Sequence, residues 1–299
     1  MQTLPISDLE TPSAALRIRG PDSNTFLQGQ FTQDLRRPAG ACSYGLWLNQ
    51  KGKVVADSFV LRLAEQDHLV WAPRCGAVAL RERLESYLIA DEVEIADVTA
   101  VHGAVAIWGA GAAAAVGERF GATPRAAEFV RAGEAVVFRG RFSAGDNFVC
   151  LAPDAGELAG VFSAVGAVSG TRDSAEAERI VSALPAVPDD LGANDLPNEG
   201  GLEADAISFT KGCYLGQEVM SRLKNLGQVR RRLFVIAGDG APPAPHTPLR
   251  QGEKQVGETR SSARVGSGFV AMAMLSLVNL DRAAPLALAD GRAVRLRHG

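Results

Sequence analysis

The chain has 299 residues, a formal net charge of -3 and a sequence pI of about 5.9, so its overall field attracts neither nucleic acid nor an anionic membrane. Hydrophobic residues make up 46% and charged residues 22%, which is typical of a folded globular protein with a sizeable core. No stretch approaches the roughly 20 apolar residues that a membrane span needs. Met1 to Glu10 holds two acidic and no basic residues, unlike a secretory or transit leader, so we expect a cytoplasmic protein.

The N-terminal third predicts a sheet with flanking helices. Ala14 to Arg19 is a candidate first strand, and residues 21–23 supply N-cap chemistry for a helix with one apolar face. From Cys42 to Pro73, apolar runs alternate with polar turns, which predicts an antiparallel meander. A helix from about Arg74 to Ile89 should follow.

A glycine-rich motif follows the predicted strand Ala104 to Trp108. Residues 109–114 fit the dinucleotide fingerprint G-x-G-x-x-G/A, which needs an acidic residue at the end of a second strand about 20 residues later. Glu128 and Glu134 flank a segment with no clear second strand. The sequence therefore gives little support to a nucleotide site, and the order of elements predicts α+β sheets rather than a doubly wound fold.

The C-terminal region predicts a small antiparallel β-barrel. Beyond Arg230 the chain is strand-like, with glycine and proline turns between its apolar runs. We expect two α+β parts, 1–95 and 96–229 with some chain exchange, and a barrel over 230–299.

Metal and disulfide chemistry find little support. The four cysteines form no C-x-x-C pair, and the four histidines lie far apart without ligand spacing. Cys213 differs from the others, because Gly212 could form a tight turn that places it at a helix N-terminus beside Lys211. That position would favour the reactive thiolate, while a small side chain packed at a turn is the alternative.

The segment KGCYLGQE at 211–218, followed by Arg222, resembles the signature of the YgfZ family of folate-binding proteins, which has mitochondrial iron–sulfur assembly counterparts. The resemblance extends over nearly the whole chain. Its other parts are residues 26–30 with Thr32 and Asp34, residues 51–53 with Asp57, residues 196–199, residues 257–262 and residues 266–268.

The same frame resembles the glycine-cleavage aminomethyltransferase. This resemblance implies a ring-like, three-part aminomethyltransferase-like fold that holds tetrahydrofolate centrally, with Asp57 and Glu199 at the pterin and Lys211 and Arg222 in support. A carboxylate can accept the pterin N–C–N edge in a bidentate geometry, and we assign that edge to Glu199 and the N5/N10 side to Asp57. Cys213 is our candidate for any catalytic chemistry.

The family's implied work is support of iron–sulfur client proteins, including enzymes that modify tRNA, with folate or its polyglutamylated form as ligand. Cys213 and Gln217 stand where the transferase pattern has Asp and Arg, which favours an accessory factor over the alternative, a folate-dependent aminomethyl or one-carbon transferase.

A further alternative, a module that binds RNA or protein, depends on the basic run Arg230 to Arg232. Neighbouring residues on a strand point to opposite faces, so the run does not form one patch. We therefore expect no direct nucleic-acid binding.

Overall fold

A computed structural model describes residues 4–8, 13–226 and 229–297 of the chain. Its strands are β1 Leu4–Asp8, β2 Ala14–Arg19, β3 Cys42–Leu48, β4 Val54–Ala64, β5 Asp67–Ala72, β6 Glu94–Asp97, β7 Gly103–Trp108, β8 Phe129–Ala132, β9 Ala135–Arg139, β10 Asn147–Ala152, β11 Ala167–Ser169, β12 Arg231–Asp239, β13 Pro248–Gln251, β14 Lys254–Val265, β15 Gly268–Ser276, β16 Leu286–Leu288 and β17 Ala293–Leu296. Its helices are α1 Ser23–Gln30, α2 Ala77–Glu85, α3 Ala112–Phe120, α4 Ala155–Ala164, α5 Arg172–Val181, α6 Glu203–Ala206 and α7 Gln217–Leu226, with short 3₁₀ turns at Thr99–Val101 and Pro197–Glu199.

The first sheet is antiparallel, with strand order β3-β4-β5-β2-β6. The predicted first strand, the helix after it and the meander are all confirmed. The turn between β3 and β4 forms because Asn49 Oδ1 accepts hydrogen bonds from the backbone N–H groups of Lys51 and Lys53. Helix α2 is shorter than predicted, because Gly76 takes an extended conformation and the helix begins only after it.

The second sheet has the order β11-β1-β7-β10-β9-β8. Strand β1 comes from the N-terminus, yet it pairs with β11 and β7 in this second sheet. The boundaries of the three predicted parts themselves stay a prediction.

The two sheets face each other across an apolar layer that both supply. Phe59 of β4 and Trp71 of β5 meet Phe138 of β9, with ring centroids 4.9 Å and 5.8 Å from Phe138. The other face of the first sheet packs with α1 and α2, and that of the second with α3 and α4. Strand β4, which carries Asp57, is therefore covered on both of its faces.

The predicted C-terminal barrel is confirmed. Strands β12-β15-β14-β13-β16-β17 close into a ring around an apolar interior. Closure removes free strand edges, which explains how strands as short as β16 remain ordered. In the described ranges no helix is long and apolar enough to cross a membrane.

Lys211 fastens the loop before α7 to the end of α1. Its ammonium is buried and donates hydrogen bonds to the carbonyl oxygens of Gln28, Phe31 and Gln33 at 2.7, 2.6 and 3.0 Å. Carbonyls at a helix C-terminus carry partial negative charge, which favours a cation there. Burial lowers the pKa of Lys211 to about 8.

We predict that Lys211→Met destabilises the protein by about 3 kcal/mol or more, because each buried carbonyl left without a donor costs roughly 1–3 kcal/mol. Urea unfolding at pH 7 measures the change. Lys254→Met, at an exposed position, is the matched control and should change stability by less than about 0.5 kcal/mol. Equal stability of the two variants would contradict the anchoring role.

Candidate functional site

Asp57 is buried on β4, and only one of its two carboxylate oxygens accepts a hydrogen bond from the described residues. Tyr44 Oη donates a hydrogen bond to Asp57 Oδ2 at 2.9 Å, whereas Oδ1 is buried and has no hydrogen-bond partner among the residues that the structure describes. Burial raises the pKa of Asp57 to about 6, against the opposing effects of the Tyr44 hydrogen bond and of Arg141 and Arg74. A buried acceptor without a donor is costly, and such atoms mark places where a ligand can supply the missing donor.

Two cavities lie beside this carboxylate. Asp57 lines a small one of about 30 Å³ together with Arg74 and Arg179. A larger one of about 300 Å³ lies next to it, and Tyr44, Phe59 and Arg141 line both. The larger volume reaches the lower range of small-molecule sites. The shared residues make the two cavities neighbours, so a ligand could extend from Asp57 into the larger space.

The arginines around Asp57 already have acidic partners. Arg141 pairs with Asp205 at 2.8 Å and lies over the Tyr44 ring at 4.2 Å, and Arg74 pairs with Asp189 at 2.7 Å and also with Glu176. These cations attract the Asp57 carboxylate without contacting it. Sequence reasoning missed Tyr44, Arg74 and Arg141. Tyr44 could have been predicted from the antiparallel meander. Strand β3 pairs with β4, and this pairing places Tyr44 diagonally across from Asp57.

Glu199, our candidate for the pterin edge, has both carboxylate oxygens occupied. Arg231 Nε donates to Oε1 at 2.7 Å, while Arg231 Nη2 and the backbone N–H of Leu196 donate to Oε2 at 3.0 and 2.7 Å. Arg231 also bonds Asp195 at 2.8 Å. Glu199 lines neither cavity beside Asp57, and in this structure it joins the 3₁₀ turn to the barrel strand β12.

The structure differs from the expected start of the helix after Lys211. Gly216, not Gly212, has the positive φ, at 85°, and α7 begins at Gln217. A side chain at Gly216 would lie 2.9 Å from the carbonyl oxygen of Asn49, so this close approach requires glycine. Cys213 is therefore exposed in a loop four positions before the helix rather than at its N-terminus.

Lys211, Cys213 and Arg222 are not brought to Asp57. None of the three lines the two cavities. The exposed Arg222 pairs with Glu218 at 2.9 Å, one turn earlier on α7. Among the described residues, no three His, Cys, Asp or Glu side chains are grouped as metal ligands would be.

The glycine-rich motif at 109–114 forms a turn into α3, but its context is not a nucleotide fold. Strand β7 pairs antiparallel with both of its neighbours, β1 and β10. Our view that no second strand follows was wrong, since β8 lies there. It pairs antiparallel with β9 at the sheet edge, so a parallel crossover is missing at this place.

The basic run also resolves into separate contacts. Arg231 pairs with Asp195 and Glu199, whereas its two neighbours, Arg230 and Arg232, are exposed and do not share these contacts. This matches the expectation that the three charges do not form one patch.

The raised pKa of Asp57 predicts that its contribution to the stability of the fold depends on pH. The folded pKa of about 6 lies above the ordinary 3.8, so the fold holds this proton more tightly than the unfolded chain does. The contribution of Asp57 to stability should therefore fall by about 3 kcal/mol as pH rises from about 4 to 6, at 1.36 kcal/mol for each pH unit, whereas carboxylates with a lowered pKa, such as Asp34 and Glu176, act in the opposite direction.

Asp57→Asn removes this penalty, because Tyr44 can still donate to an amide oxygen. We expect the variant to be about 2–3 kcal/mol more stable than the parent at pH 7, and the gain to vanish near pH 4. Urea unfolding at both pH values tests this, with the exposed Asp239→Asn as a charge-matched control. A variant less stable at pH 7 would contradict the penalty.

Comparison with known proteins gives the family. Residues 6–140 match the GCVT N-terminal domain, and residues 230–298 match the CAF17 C-terminal β-barrel domain. The solved structure of glycine cleavage system aminomethyltransferase T from Bartonella henselae superposes with a TM-score of 0.83 at 18% identity, covering 99% of this chain and 85% of that one, which establishes the fold.

Two relatives match over most of their length. The tRNA-modifying protein YgfZ of Edwardsiella ictaluri is 30% identical over 272 residues, 85% of this chain and 79% of the relative. The mitochondrial iron–sulfur cluster assembly factor IBA57 of Homo sapiens is 29% identical over 283 residues, 87% of this chain and 74% of the relative. The chain belongs to the YgfZ and IBA57 family and has the aminomethyltransferase-like fold.

Proposed function

We propose that this protein is a tetrahydrofolate-binding accessory factor that supports the assembly or repair of iron–sulfur proteins in the cytoplasm, among them enzymes that modify tRNA. Family membership supports the link to iron–sulfur proteins and tRNA modification, since relatives bear those names. The single structural observation behind the folate site is the buried Asp57 Oδ1, which has no donor in the described ranges of the chain.

The Asp57 side suits a pterin. A pterin ring presents N–H donors, and a buried carboxylate oxygen with no partner accepts such a donor strongly. Tyr44 holds the other oxygen and thereby fixes the direction of Oδ1. The cavity of about 30 Å³ admits only part of a ligand, and the neighbouring one of about 300 Å³ would take the remainder. When bound, tetrahydrofolate would supply one-carbon chemistry at its N5 and N10 atoms.

The other residues that we propose for folate binding do not line the cavities beside Asp57. Glu199 becomes available to the pterin edge only when Arg231 releases it, because both of its oxygens are bonded. Lys211 supports the site by holding the carbonyl of Gln33, a residue that lines the larger cavity. Arg222 is exposed on α7 and lines neither cavity, so its part in the proposed site rests on the family resemblance alone.

Calorimetric titration with tetrahydrofolate tests this function. We expect the parent to bind, and Asp57→Asn to bind at least about tenfold more weakly, since the amide oxygen stays with Tyr44 while the charge is lost and an NH2 donor replaces the acceptor Oδ1. Because Asp57→Asn should be more stable at pH 7, its loss of binding could not be ascribed to unfolding. Asp239→Asn is the control and should bind like the parent.

Glu199→Gln, measured in the same titration, distinguishes the role of Glu199 from that of Asp57. Weaker binding would support a site in which Arg231 moves, and unchanged binding would leave Asp57 as the pterin residue and remove Glu199. Unchanged binding by Asp57→Asn, or none by the parent, would overturn the folate proposal. Turnover of an aminomethylated carrier protein with tetrahydrofolate would instead identify a transferase.

Cys213 is the residue we propose for chemistry toward a client. Its thiol is exposed, so Cys213→Ser should leave the fold intact. We expect at least about a twofold loss of iron–sulfur enzyme activity in cells that carry this variant as their only copy, because the sulfur chemistry of the thiol is lost while the shape is kept. Thr210→Ala, exposed in the same loop, controls for surface changes. Parental activity with Cys213→Ser would refute the role.

A further inference from the structure

A third cavity, of about 630 Å³, opens at one end of the C-terminal barrel. Its floor is formed by Leu286 and Val294, which belong to the barrel interior, and its walls include Phe234, Leu280 and Leu296. The cavity is therefore an opening into the apolar core of the barrel. Mouths of β-barrels are common places for small ligands, and this volume lies within the range of such sites.

The rim of this barrel mouth is cationic. Arg282, Arg295 and Arg297 line it and are exposed, and in the described ranges none forms an ion pair with an acidic side chain. The one acidic residue in the lining is Asp281, and its Oδ1 accepts the backbone N–H of Ala283 at 2.9 Å. The guanidinium of Arg282 lies 5.8 Å from the centre of the Phe234 ring, so one charge stands directly beside the apolar wall.

The wall formed by residues 281–284 is held in place from inside the barrel. Gln251 Nε2 donates to the carbonyl oxygens of Asp281 and Ala284 at 2.6 and 3.0 Å, and its Oε1 accepts the backbone N–H of Asp281 at 3.0 Å. A side chain that fixes three backbone groups keeps the loop in one arrangement. The cavity is thus preformed, which lowers the entropy that a ligand must lose on binding.

We propose that the barrel mouth binds a small amphipathic anion, with an apolar body in the cavity and one carboxylate, sulfonate or phosphate group at Arg282 and Arg295. A concave apolar floor suits a compact hydrophobic group, and guanidinium groups with no acidic side-chain partner in the described part of the chain favour an oxyanion. This site is independent of the folate proposal, since none of its residues lines the cavities beside Asp57.

The probe is 8-anilinonaphthalene-1-sulfonate, an aromatic sulfonate whose fluorescence rises in apolar surroundings. We expect saturable binding by the native protein at low salt, with one site. Arg282→Gln with Arg295→Gln should weaken it by about tenfold or more, because both oxyanion contacts are lost. Arg250→Gln with Arg264→Gln removes the same charge from exposed barrel positions outside the cavity and should bind like the parent.

Two further arms test the chemistry of the ligand. Decanoate should displace the probe, whereas decanol, with the same chain length and no charge, should displace it at least about tenfold less well. Ala283→Glu, which places an acid at the exposed rim, should also abolish probe binding without disturbing the fold.

Equal probe binding by the parent and the Arg282 and Arg295 variant would overturn the proposal, as would equal displacement by decanol and decanoate. The Arg282 and Arg295 variant should keep the parent's affinity for tetrahydrofolate. A failure of the folate titration alone would leave the barrel-mouth site standing, so the two proposals can fail separately.

Discussion

The buried ion pair between Arg179 of α5 and Asp190 connects the segments that lie next to the small cavity at Asp57. Arg179 Nη1 bonds Asp190 Oδ2 at 2.7 Å, and Arg179 Nη2 bonds Glu176 and the hydroxyl of Ser261, which lies on barrel strand β14. Asp190 also accepts hydrogen bonds from the Ser261 backbone and hydroxyl. One guanidinium thus joins a helix, a loop and the barrel. Because both charges are buried, removal of Arg179 would leave Asp190 as a buried ion without a cationic partner, whereas removal of Asp190 would leave Arg179 with Glu176 alone.

The contrast with Asp57 follows from that network. Glu176, Asp190, Asp195 and Glu199 each have an arginine partner, and burial of each is compensated. Among the described residues, Asp57 has only the Tyr44 hydroxyl and two arginines at a distance, and burial raises its pKa. A fold selected for stability alone would replace such a carboxylate, since its burial lowers stability at neutral pH. The stability that is given up at Asp57 is consistent with a binding role at this residue.

Sequence patterns predicted the elements better than the site. Alternation and turn residues gave the meander, the helix after β2 and the barrel, because these depend on local periodicity. The approach of Arg74, Arg141 and Asp57 arises from segments far apart in the chain, and no local pattern carries that information. The resemblance supplied Asp57, but it could not show that Arg231 covers Glu199. The helix start after Cys213 was misplaced because either Gly212 or Gly216 could take the positive φ, and only the close approach of Asn49 selects Gly216.

The separation of Cys213 from Asp57 suits an accessory factor better than a single catalytic centre. An exposed thiol can meet a client protein, while a buried carboxyl can bind a small ligand away from solvent. The loop of Cys213 is nevertheless connected to the wall of the larger cavity, because Lys211 donates to the carbonyl of Gln33 and the Gln33 amide donates to the carbonyl of Asp205. Gln33 and Asp205 both line the larger cavity. A ligand that moved this wall would act on the loop through these hydrogen bonds, which gives the two sites a physical connection without requiring them to meet.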